Sequence, residues 1–394
     1  MSNRNPKVLF FFHTNELGGA EKSALTIIQE CSAKGFSVEA VVPSNGALKE
    51  ELTKLTTKVS VVNYRWWCSV NSNVTWYRYW EMLFSFWNIL LFWITNLRSR
   101  PDVVVTNTLT IPWGIVYSKL AGRPHIQLIR EFGSLDFGFH FILGYTLSMH
   151  ILGACSHYVF TNSLTMSEFY KSYIDAQKLD YMYPTIFKSC VSKARIGRNY
   201  FRSKKSLKLL VLGTIIEAKG QLEAVRALTH LAKLGYTDIE LILAGKRNSE
   251  EYSHQILAES VSNLDALRNI TILEHLVNPF KLLREADVVL ICSKNEAFGR
   301  IAAEAMLFNK AIIASDSGAN REILADGRCG LLYIPGDTED LAAKIKALHD
   351  DRNALQQLGE KAFDNYVQKL QPKMNAKPLI SSVMQLANAQ FSAN

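Results

Sequence analysis

The sequence predicts an α/β protein built from two doubly wound parallel sheets. Short apolar runs alternate with amphipathic helical patterns along most of the 394 residues, and this alternation is typical of parallel strands joined by right-handed crossover helices. The alternation stops at one basic stretch and then restarts. A chain of this length is also too long to form a single ordinary hydrophobic core. We therefore expect two domains that face a ligand cleft, because such sheets bind ligands beyond the carboxyl ends of their strands.

The first half of the chain carries six predicted strands, which are continuous apolar runs of the kind that is covered on both faces. They are Lys7–Phe12, Ser37–Val42, Val59–Val62, Asp102–Asn107, His125–Ile129 and His157–Thr161. With the helical patterns between them, they predict an N-terminal domain over residues 1–186. A last helix at about 372–394 is expected to pack back on this domain.

The second half repeats the pattern with six more predicted strands. They are Leu207–Leu212, Ile239–Ala244, Ile270–Leu273, Val288–Cys292, Ala311–Ala314 and Gly330–Tyr333. These strands predict a C-terminal domain over residues 187–371. In both halves, the loops that carry candidate functional residues follow predicted strands. The candidate residues of each half are therefore expected at one edge of their own sheet.

The chain is basic, with a formal net charge of +8 and a pI near 9.0, which favours anionic partners. Much of the excess lies between Lys188 and Lys208, where no acidic residue occurs. An anion-binding module centred on this stretch is one alternative function. The stretch offers only Tyr200 and Phe201 for stacking on bases and has no known nucleic-acid motif, so we expect no nucleic-acid partner.

The six cysteines are scattered through the sequence without metal-ligand or disulfide-framework spacing. Free cysteines in apolar runs are typical of a reducing compartment. The first residues run directly into a predicted strand and lack signal-peptide architecture. These features predict a cytoplasmic protein.

The apolar segment Met82–Ile94 differs from the other helical patterns, because it is apolar nearly all round. No charge lies between Glu81 and Arg98, but this uncharged length is short of the ~20 residues that span a bilayer. One interpretation is a buried crossover helix. The other is a helix whose outer face, with its aromatic and arginine neighbours, contacts the inner face of a membrane peripherally.

Glycines and lysines mark three loops that follow predicted strands. Gly18 and Gly19 open the first helix, where glycine lets a ligand approach the backbone closely. In the second half, a loop after Gly213 and Thr214 leads to Lys219, whose compact positive charge suits a phosphate. Gly245 and Lys246 repeat this theme after the next strand. A plain turn and a solvated lysine are the alternative interpretations of each loop.

The stretch Ser293–Met306 follows another predicted strand and places two carboxylates around the start of a helix. If the helix begins near Phe298, Glu296 precedes its first turn and Glu304 lies about two turns inside it. Carboxylates and free backbone N–H groups suit a hydroxyl-rich or anionic ligand. A helix cap and a surface charge are the alternative interpretations of the two residues.

The run from Asp287 to Leu341 resembles the signature region of the retaining, nucleotide-sugar-dependent glycosyltransferases of family four, which adopt the two-Rossmann GT-B fold. The residues that carry this resemblance are Ser293, Glu296, Phe298, Gly299, Glu304, Gly318, Glu322, Asp326, Gly327, Gly330, Pro335 and Asp337. Weaker similarity extends over nearly the whole chain, including the Gly18-Gly19 loop.

The resemblance, together with the loops described above and the residues that depart from the family pattern, predicts a catalytic set and a donor-binding set. The catalytic set is Glu296, Lys219, Arg130 and Glu131. The donor-binding set is Gly18, Gly19, Gly213, Thr214, Lys219, Gly245, Lys246, Glu296, Ala297, Phe298, Gly299, Arg300, Ile301 and Glu304. In this interpretation, Glu296 contacts the transferred sugar, Glu304 accepts hydrogen bonds from the ribose, and Lys219 neutralises the departing diphosphate.

Three positions depart from the family pattern, and one of them follows the predicted strand Ile270–Leu273, where His275 or Leu276 replaces the usual glycine. Thr214 stands where the family usually has an arginine, so Lys246 or Arg300 is expected to supply the missing charge. Arg130 and Glu131 stand where the family often has a histidine, and they are expected to line the acceptor side.

The resemblance implies a hexosyltransferase that moves a sugar from a nucleotide-diphosphate donor to an acceptor hydroxyl with retention. We expect a lipid-linked or polysaccharide acceptor of surface glycan assembly, and no cofactor or metal, since no Asp-x-Asp anchors one at a strand end. A sugar-nucleotide epimerase of the same fold is the enzymatic alternative.

Overall fold

The computed structural model describes residues 5–70, 76–186, 206–262, 268–274 and 279–393. The chain divides into two compact units. The first comprises Met1–Thr185 and Met374–Asn394, and the second comprises Ile186–Lys373. Each unit has its own parallel sheet with helices on both faces. Most of the basic stretch between Lys188 and Lys208 lies outside the described residues, as do His275 and Leu276.

The first unit contains a seven-stranded sheet in the order β3-β2-β1-β5-β6-β8-β9, in which all neighbours are parallel. Its strands are β1 (Lys7–Phe11), β2 (Ser37–Val42), β3 (Lys58–Val61), β5 (Val103–Asn107), β6 (His125–Ile129), β8 (Tyr158–Thr161) and β9 (Leu179–Tyr181). A separate antiparallel pair joins β4 (Cys68–Ser69) to β7 (His140–Phe141). The strand order reverses beside β1, so the carboxyl ends of β1 and β5 lie at a topological switch point.

The helices of the first unit cover both faces of this sheet. They are α1 (Gly19–Ala33), α2 (Ala47–Leu55), α3 (Tyr77–Thr95), α4 (Trp113–Ala121), α5 (Tyr145–Cys155), α6 (Leu164–Tyr170) and α14 (Lys377–Ala393). The last of them packs into the core through Leu379 and Val383, which are fully buried beside α1 and the sheet. Its start is fixed by Glu30, whose carboxylate accepts a hydrogen bond of 2.9 Å from the Ala376 N–H.

The second unit contains a six-stranded parallel sheet in the order β12-β11-β10-β13-β14-β15. Its strands are β10 (Leu207–Leu212), β11 (Ile239–Ala244), β12 (Ile270–Leu273), β13 (Val288–Ile291), β14 (Ala311–Ser315) and β15 (Leu331–Tyr333). The described helices are α7 (Gln221–Lys233), α8 (Glu250–Val261), α9 (Pro279–Glu285), α10 (Arg300–Leu307), α11 (Asn320–Ile323), α12 (Thr338–Asp350) and α13 (Arg352–Asn365). The order reverses between β10 and β13, so their loops meet at a second switch point. The predicted fold class is confirmed.

Helix α3 corrects one of the two interpretations of the apolar segment Met82–Ile94. It does connect two parts of the first unit, but only Ser85 and Ile89 of the helix are buried. The expectation of a buried helix was wrong. A sheet covers only one side of a helix that packs on it, so the other side of α3 is exposed whatever its composition. None of the helices in the described ranges is long and apolar enough to cross a membrane.

Candidate functional site

The loop after β13 holds Glu296 in a dense set of hydrogen bonds. One carboxylate oxygen of Glu296, Oε2, lies 2.8 Å from the Lys219 ammonium nitrogen and accepts a hydrogen bond of 2.7 Å from the Ser293 hydroxyl. The other oxygen, Oε1, accepts one of 3.2 Å from the Gly299 N–H. Glu296 therefore has a fixed orientation, and it brings the Lys219 charge to the start of α10.

These contacts determine the ionisation of Glu296. Burial by itself raises the pKa of a carboxyl group, but the nearby Lys219 charge and the three hydrogen bonds outweigh it, and the pKa of Glu296 lies below its ordinary value. Glu296 is consequently an anion at neutral pH. A fixed anion beside a fixed cation can accept hydrogen bonds from hydroxyl groups while its partner binds a phosphate.

Helix α10 begins two residues later than the sequence predicted. Gly299 precedes it with a φ of 74°, a left-handed conformation that glycine adopts without strain. Glu304 therefore lies little more than one turn into the helix, rather than two. It is largely buried, and the Arg300 Nη2 lies 3.5 Å from its carboxylate Oε1.

The lysine loop is held against the end of β13 by its backbone. Lys219 ends a short 3-10 turn, Glu217–Lys219, and Gly220 follows with a φ of 65°. A Cβ atom at Gly220 would lie 2.0 Å from the Cys292 carbonyl oxygen, so only glycine lets the two loops approach this closely. The Lys294 N–H also donates a hydrogen bond of 3.0 Å to the Ala218 carbonyl. The approach of the backbones is what lets Lys219 reach Glu296.

Two further glycines bring the neighbouring loops together. A Cβ atom at Gly245 would lie 1.9 Å from the Gly213 carbonyl oxygen, and the Gly213 N–H donates a hydrogen bond of 3.0 Å to Ala244. Thr214 follows Gly213, and its carbonyl accepts a hydrogen bond of 2.9 Å from the Gln221 side chain. Lys246 is exposed beside these loops. The loops after β10 and β11 therefore run side by side next to the lysine loop.

Residues at the end of β14 and just beyond it support the Glu296 loop from behind, and the sequence analysis singled out only Gly318 among them. The hydroxyls of Ser315 and Ser317 donate hydrogen bonds of 2.6 and 3.0 Å to the Ser293 carbonyl. The Ala319 N–H donates one of 2.7 Å to the Glu296 carbonyl. A Cβ atom at Gly318 would lie 2.3 Å from the same oxygen. The run of small polar residues at the end of β14 is the sequence signal for this support.

In the first unit, Arg130 is positioned by asparagines from the two strands beside its own. It follows β6, and its Nε and Nη1 donate hydrogen bonds of 3.1 Å to Asn107 Oδ1 and 2.8 Å to Asn162 Oδ1. Asn107 ends β5 and Asn162 follows β8. These three polar residues at the carboxyl ends of adjacent strands were therefore detectable from the sequence, although Arg130 was the one member of the three that the sequence analysis selected. The guanidinium group is largely buried at this edge.

Several carboxyl groups share this buried environment. Burial, together with the charge of Asp136, raises the pKa of Glu131 to about 8. Burial also raises the pKa of Glu21 to about 7 and that of Asp136 to about 6. Glu131 accepts a hydrogen bond of 3.0 Å from the Leu109 N–H through Oε1. Groups that titrate near neutrality can exchange protons at neutral pH.

Gly18 and Gly19 begin α1 close to this group of carboxyls. A Cβ atom at Gly18 would lie 2.8 Å from the Glu21 carboxylate, whereas one at Gly19 would meet nothing within 4 Å. The Asn107 amide donates a hydrogen bond of 3.4 Å to Glu21. Sequence reasoning did not select Glu21, although a carboxylate on the first turn of a largely apolar helix was a usable signal.

The predicted site residues thus form one group in each unit. In the second unit, Lys219 and Glu296 are in contact, and Arg300 lies beside Glu304. Ala297 and Phe298 are buried in the loop between them, and Ile301 is half-buried. In the first unit, the group holds the following residues: Gly18, Gly19, Arg130 and Glu131. No cluster of three or more metal-ligating side chains occurs among the described residues.

The second-unit site lies within a recognised sequence family. Residues 193–365 match the model described as "Glycosyl transferases group 1", and this range includes every predicted site residue from Gly213 to Glu304. These residues belong to the group 1 glycosyl transferases.

Curated relatives of this group 1 domain match part of the chain. The D-inositol 3-phosphate glycosyltransferase of Nocardia farcinica is 32% identical over 127 residues, which are 31% of this chain and 28% of the relative. The capsular polysaccharide biosynthesis glycosyltransferase CapM of Staphylococcus aureus is 22% identical over 148 residues, 38% of each chain. The chain therefore spans about a third of the length of these relatives.

Solved structures resemble the chain over nearly its full length. Anabaena Alr3699/HepE, solved in complex with UDP and glucose, superposes with a TM-score of 0.73 at 18% identity, and the match covers 99% of this chain and 100% of that one. At this identity the likeness shows the fold. The predicted GT-B fold is confirmed.

Proposed function

We propose that the chain is a retaining glycosyltransferase that moves a sugar from a nucleotide-diphosphate donor to an acceptor hydroxyl. The observation that carries the proposal is the pairing of Lys219 with Glu296 at the N-terminus of α10, where Nζ and Oε2 are 2.8 Å apart. The family of residues 193–365 supports the same reaction class. The complex of Anabaena Alr3699/HepE with UDP and glucose supports a UDP-sugar as the donor to test first.

The proposed roles follow from charge and position. Lys219 neutralises the diphosphate as it departs, which is the electrostatic contribution expected to dominate such a reaction. Glu296 accepts hydrogen bonds from hydroxyls of the transferred sugar, and Glu304 accepts them from the ribose. The N–H groups at the start of α10 favour the negative charge of the diphosphate.

The proposed transfer occurs on one face of the sugar. The bond between the anomeric carbon and the phosphate oxygen breaks, and a bond to the acceptor oxygen forms on the same face. The acceptor proton passes to the departing phosphate oxygen, so atoms and charge balance without a metal or cofactor. Arg130 and Glu131 are proposed to line the acceptor side.

The acceptor is proposed to be a lipid-linked or polysaccharide glycan of surface glycan assembly. The relatedness to CapM, named for capsular polysaccharide biosynthesis, supports this class. The proposal also includes a cytoplasmic location, inferred from the pattern of cysteines in the sequence.

A donor screen tests the proposal. Nucleotide sugars, with UDP-sugars first, are added to the purified chain, and the melting temperature is measured, because a ligand of the native state stabilises it by ~2.7 kcal/mol at a hundred times its Kd. We expect one donor class to raise the melting temperature of the wild type and to lose this effect in Lys219→Ala. Arg226→Ala is the matched control, since Arg226 pairs with Glu259 on the surface of the same unit.

Product formation separates the alternatives. A transferase makes a glycosylated product only when acceptor is supplied, whereas an epimerase converts the nucleotide sugar alone. Salt-sensitive nucleic-acid binding that survives Lys219→Ala and Glu304→Ala, without any donor effect, would instead support the anion-binding module.

A further inference from the structure

The outward face of α3 is a continuous apolar stripe. Trp80, Phe84, Trp87, Leu91 and Ile94 recur every three or four residues, so they lie on one side of the helix. Trp80, Trp87 and Leu91 are 60%, 58% and 59% exposed. The stripe extends over ~21 Å at 1.5 Å per residue. We call these five residues the α3 stripe.

The inward face of α3 holds the helix to its unit through polar and apolar contacts. Ser85 accepts a hydrogen bond of 3.0 Å from the Arg65 N–H, and the Asn88 amide donates one of 2.7 Å to the Asn63 carbonyl. Ile89 is fully buried beside them. Met82, Phe92 and Trp93 pack against the same core, so α3 is apolar on both faces, whereas an ordinary surface helix turns a polar side to solvent.

A second attachment fixes the start of the helix. The Arg78 guanidinium donates hydrogen bonds of 3.0 and 2.7 Å to the carbonyls of Trp66 and Cys68. The α3 stripe is therefore presented by a helix that is attached near its start and at its middle. Large exposed apolar areas on a fixed element are typical of surfaces that meet a partner or a membrane.

The charges around the α3 stripe are mostly positive. Between Trp76 and Pro101 the only acidic residue of the sequence is Glu81, whose carboxylate lies 3.7 Å from the Arg65 guanidinium. Arg98 and Arg100 are exposed just beyond the other end of the helix. An anionic surface would therefore meet positive charge near both ends of the helix.

We propose that the α3 stripe docks on the surface of a bilayer that contains anionic lipid. Tryptophan suits the boundary between headgroups and acyl chains, because its ring is apolar and its N–H is polar. A helix of this kind lies in the plane of the interface with its apolar side inserted, and flanking arginines add attraction to anionic headgroups. The inference does not rest on the proposed transfer reaction, since docking requires neither donor nor acceptor.

Vesicle binding of the full chain tests this proposal. Vesicles of phosphatidylcholine alone are compared with vesicles that contain about 30% phosphatidylglycerol, and bound protein is measured by flotation. We expect the wild type to bind the anionic vesicles. We expect Trp80→Ser combined with Trp87→Ser to weaken this binding at least about tenfold, because two exposed aromatic side chains no longer insert.

Matched variants separate the α3 stripe from general surface hydrophobicity. Leu91→Ser with Ile94→Ser is expected to weaken binding, whereas Leu257→Ser with Val261→Ser, which changes exposed aliphatic residues of α8, is expected to leave it unchanged. All four positions are exposed, and unchanged melting temperatures will show that the variants fold.

The charge contribution is tested separately. Arg98→Gln with Arg100→Gln is expected to weaken binding to the anionic vesicles about tenfold or more, at roughly 1 kcal/mol per arginine. Unchanged binding in this variant overturns the preference for anionic lipid.

Two other outcomes overturn the docking proposal. One is that the double tryptophan variant binds vesicles as tightly as the wild type does. The other is a wild type that does not float with vesicles but self-associates in light scattering, with self-association lost in the same variant. That second result would mean that another copy of the chain covers the α3 stripe.

Discussion

The Lys219 ammonium lies 2.8 Å from the Glu296 carboxylate, although the two residues are 77 positions apart in the chain. Parallel strands bring them together, because the loop after β10 and the loop after β13 emerge at adjacent carboxyl ends of one sheet. The pair is partly shielded, with 30% and 14% of the two side chains exposed. Its contribution to stability and its proposed contribution to transfer can therefore be measured on the same two side chains.

The first prediction concerns the stability of this pair. Lys219→Ala leaves the Glu296 anion without its main partner and is expected to lower the free energy of unfolding at pH 7 by about 1–2 kcal/mol, less than for a fully buried pair. Because the pKa of Glu296 is lowered in the folded state, its contribution is present above its ordinary pKa and is lost as the pH falls through the lowered one. The cost of Lys219→Ala should thus shrink at acidic pH. Urea unfolding at pH 7 and pH 3.5 measures it.

Two further variants control this experiment. Lys294→Ala removes an exposed ion pair with Glu217 in the same loops and is expected to change stability little. Lys219→Ala combined with Glu296→Gln should cost less than the sum of the single variants, because no unpaired anion is left. Strict additivity would contradict a direct interaction between the two side chains.

The second prediction separates two uses of glycine. Gly245→Ala places a Cβ atom 1.9 Å from the Gly213 carbonyl and is expected to lower the free energy of unfolding by about 1–3 kcal/mol as the loops move apart. Gly19→Ala meets nothing within 4 Å and lies on a helix, where alanine is favoured. It should not lower stability, yet donor turnover should fall if the diphosphate approaches this backbone.

Thermal unfolding and donor turnover of the two glycine variants are compared with the wild type. Wild-type turnover in Gly19→Ala would refute the donor-binding assignment of Gly19. Wild-type stability in Gly245→Ala would refute the close approach of the two loops.

The third prediction is a pH dependence in the first unit. The pKa of Glu131 is raised from 4.5 to about 8 on folding, so the folded chain binds more protons than the unfolded chain between these values. The stability that protonation of Glu131 contributes is fully present below pH 4.5 and is lost as the pH rises through about 8. Glu131→Gln should therefore reduce the fall in unfolding free energy between pH 5 and pH 8.5, by an amount on the order of 2 kcal/mol.

Urea unfolding at both pH values measures this difference. Glu168→Gln is the control, because Glu168 forms an exposed pair with Lys171. The prediction fails if Glu131→Gln keeps the wild-type pH dependence.

The fourth prediction concerns α14. Leu379→Ala removes a fully buried side chain from the core of the first unit and is expected to lower its free energy of unfolding by about 2–4 kcal/mol. Met384→Ala on the same helix changes a side chain that is 48% exposed and should cost far less. Chemical denaturation of both variants compares them, and equal effects would contradict the observed packing of the helix.

The fifth prediction is that transfer does not require a divalent metal. Lys219 and the N–H groups at the start of α10 supply the positive charge that balances the diphosphate. Turnover in EDTA should stay within about twofold of turnover with Mg²⁺, on the basis of this electrostatic role. Loss of turnover in EDTA that added Mg²⁺ restores would overturn the prediction.

The regular part of the fold was predictable from the sequence, because each central strand is a continuous apolar run. The predicted strand Ser37–Val42 coincides with β2, and Leu207–Leu212 coincides with β10. The pair of β4 and β7 was missed, since two-residue strands have no periodicity. The edge strand β9 was also missed, because Leu179–Tyr181 is short and includes a charged residue.

The candidate site was predictable only in part. The contact of Lys219 with Glu296 follows from strand order, but the part played by Gly220 depends on a close backbone approach that a sequence does not display. Ser315 and Ser317 were missed because they act through the Ser293 carbonyl rather than through a charge. The exposure of α3 could not be read from composition, since apolar residues surround the whole helix.

The place of α14 in the chain has a consequence for the order of folding. Leu379 and Val383 complete the core of the first unit, yet they follow every residue of the second unit in the sequence. During synthesis the second unit can therefore fold while the first still lacks part of its core. Domains generally fold as units in the order in which they emerge, but here the unit that begins first is completed last.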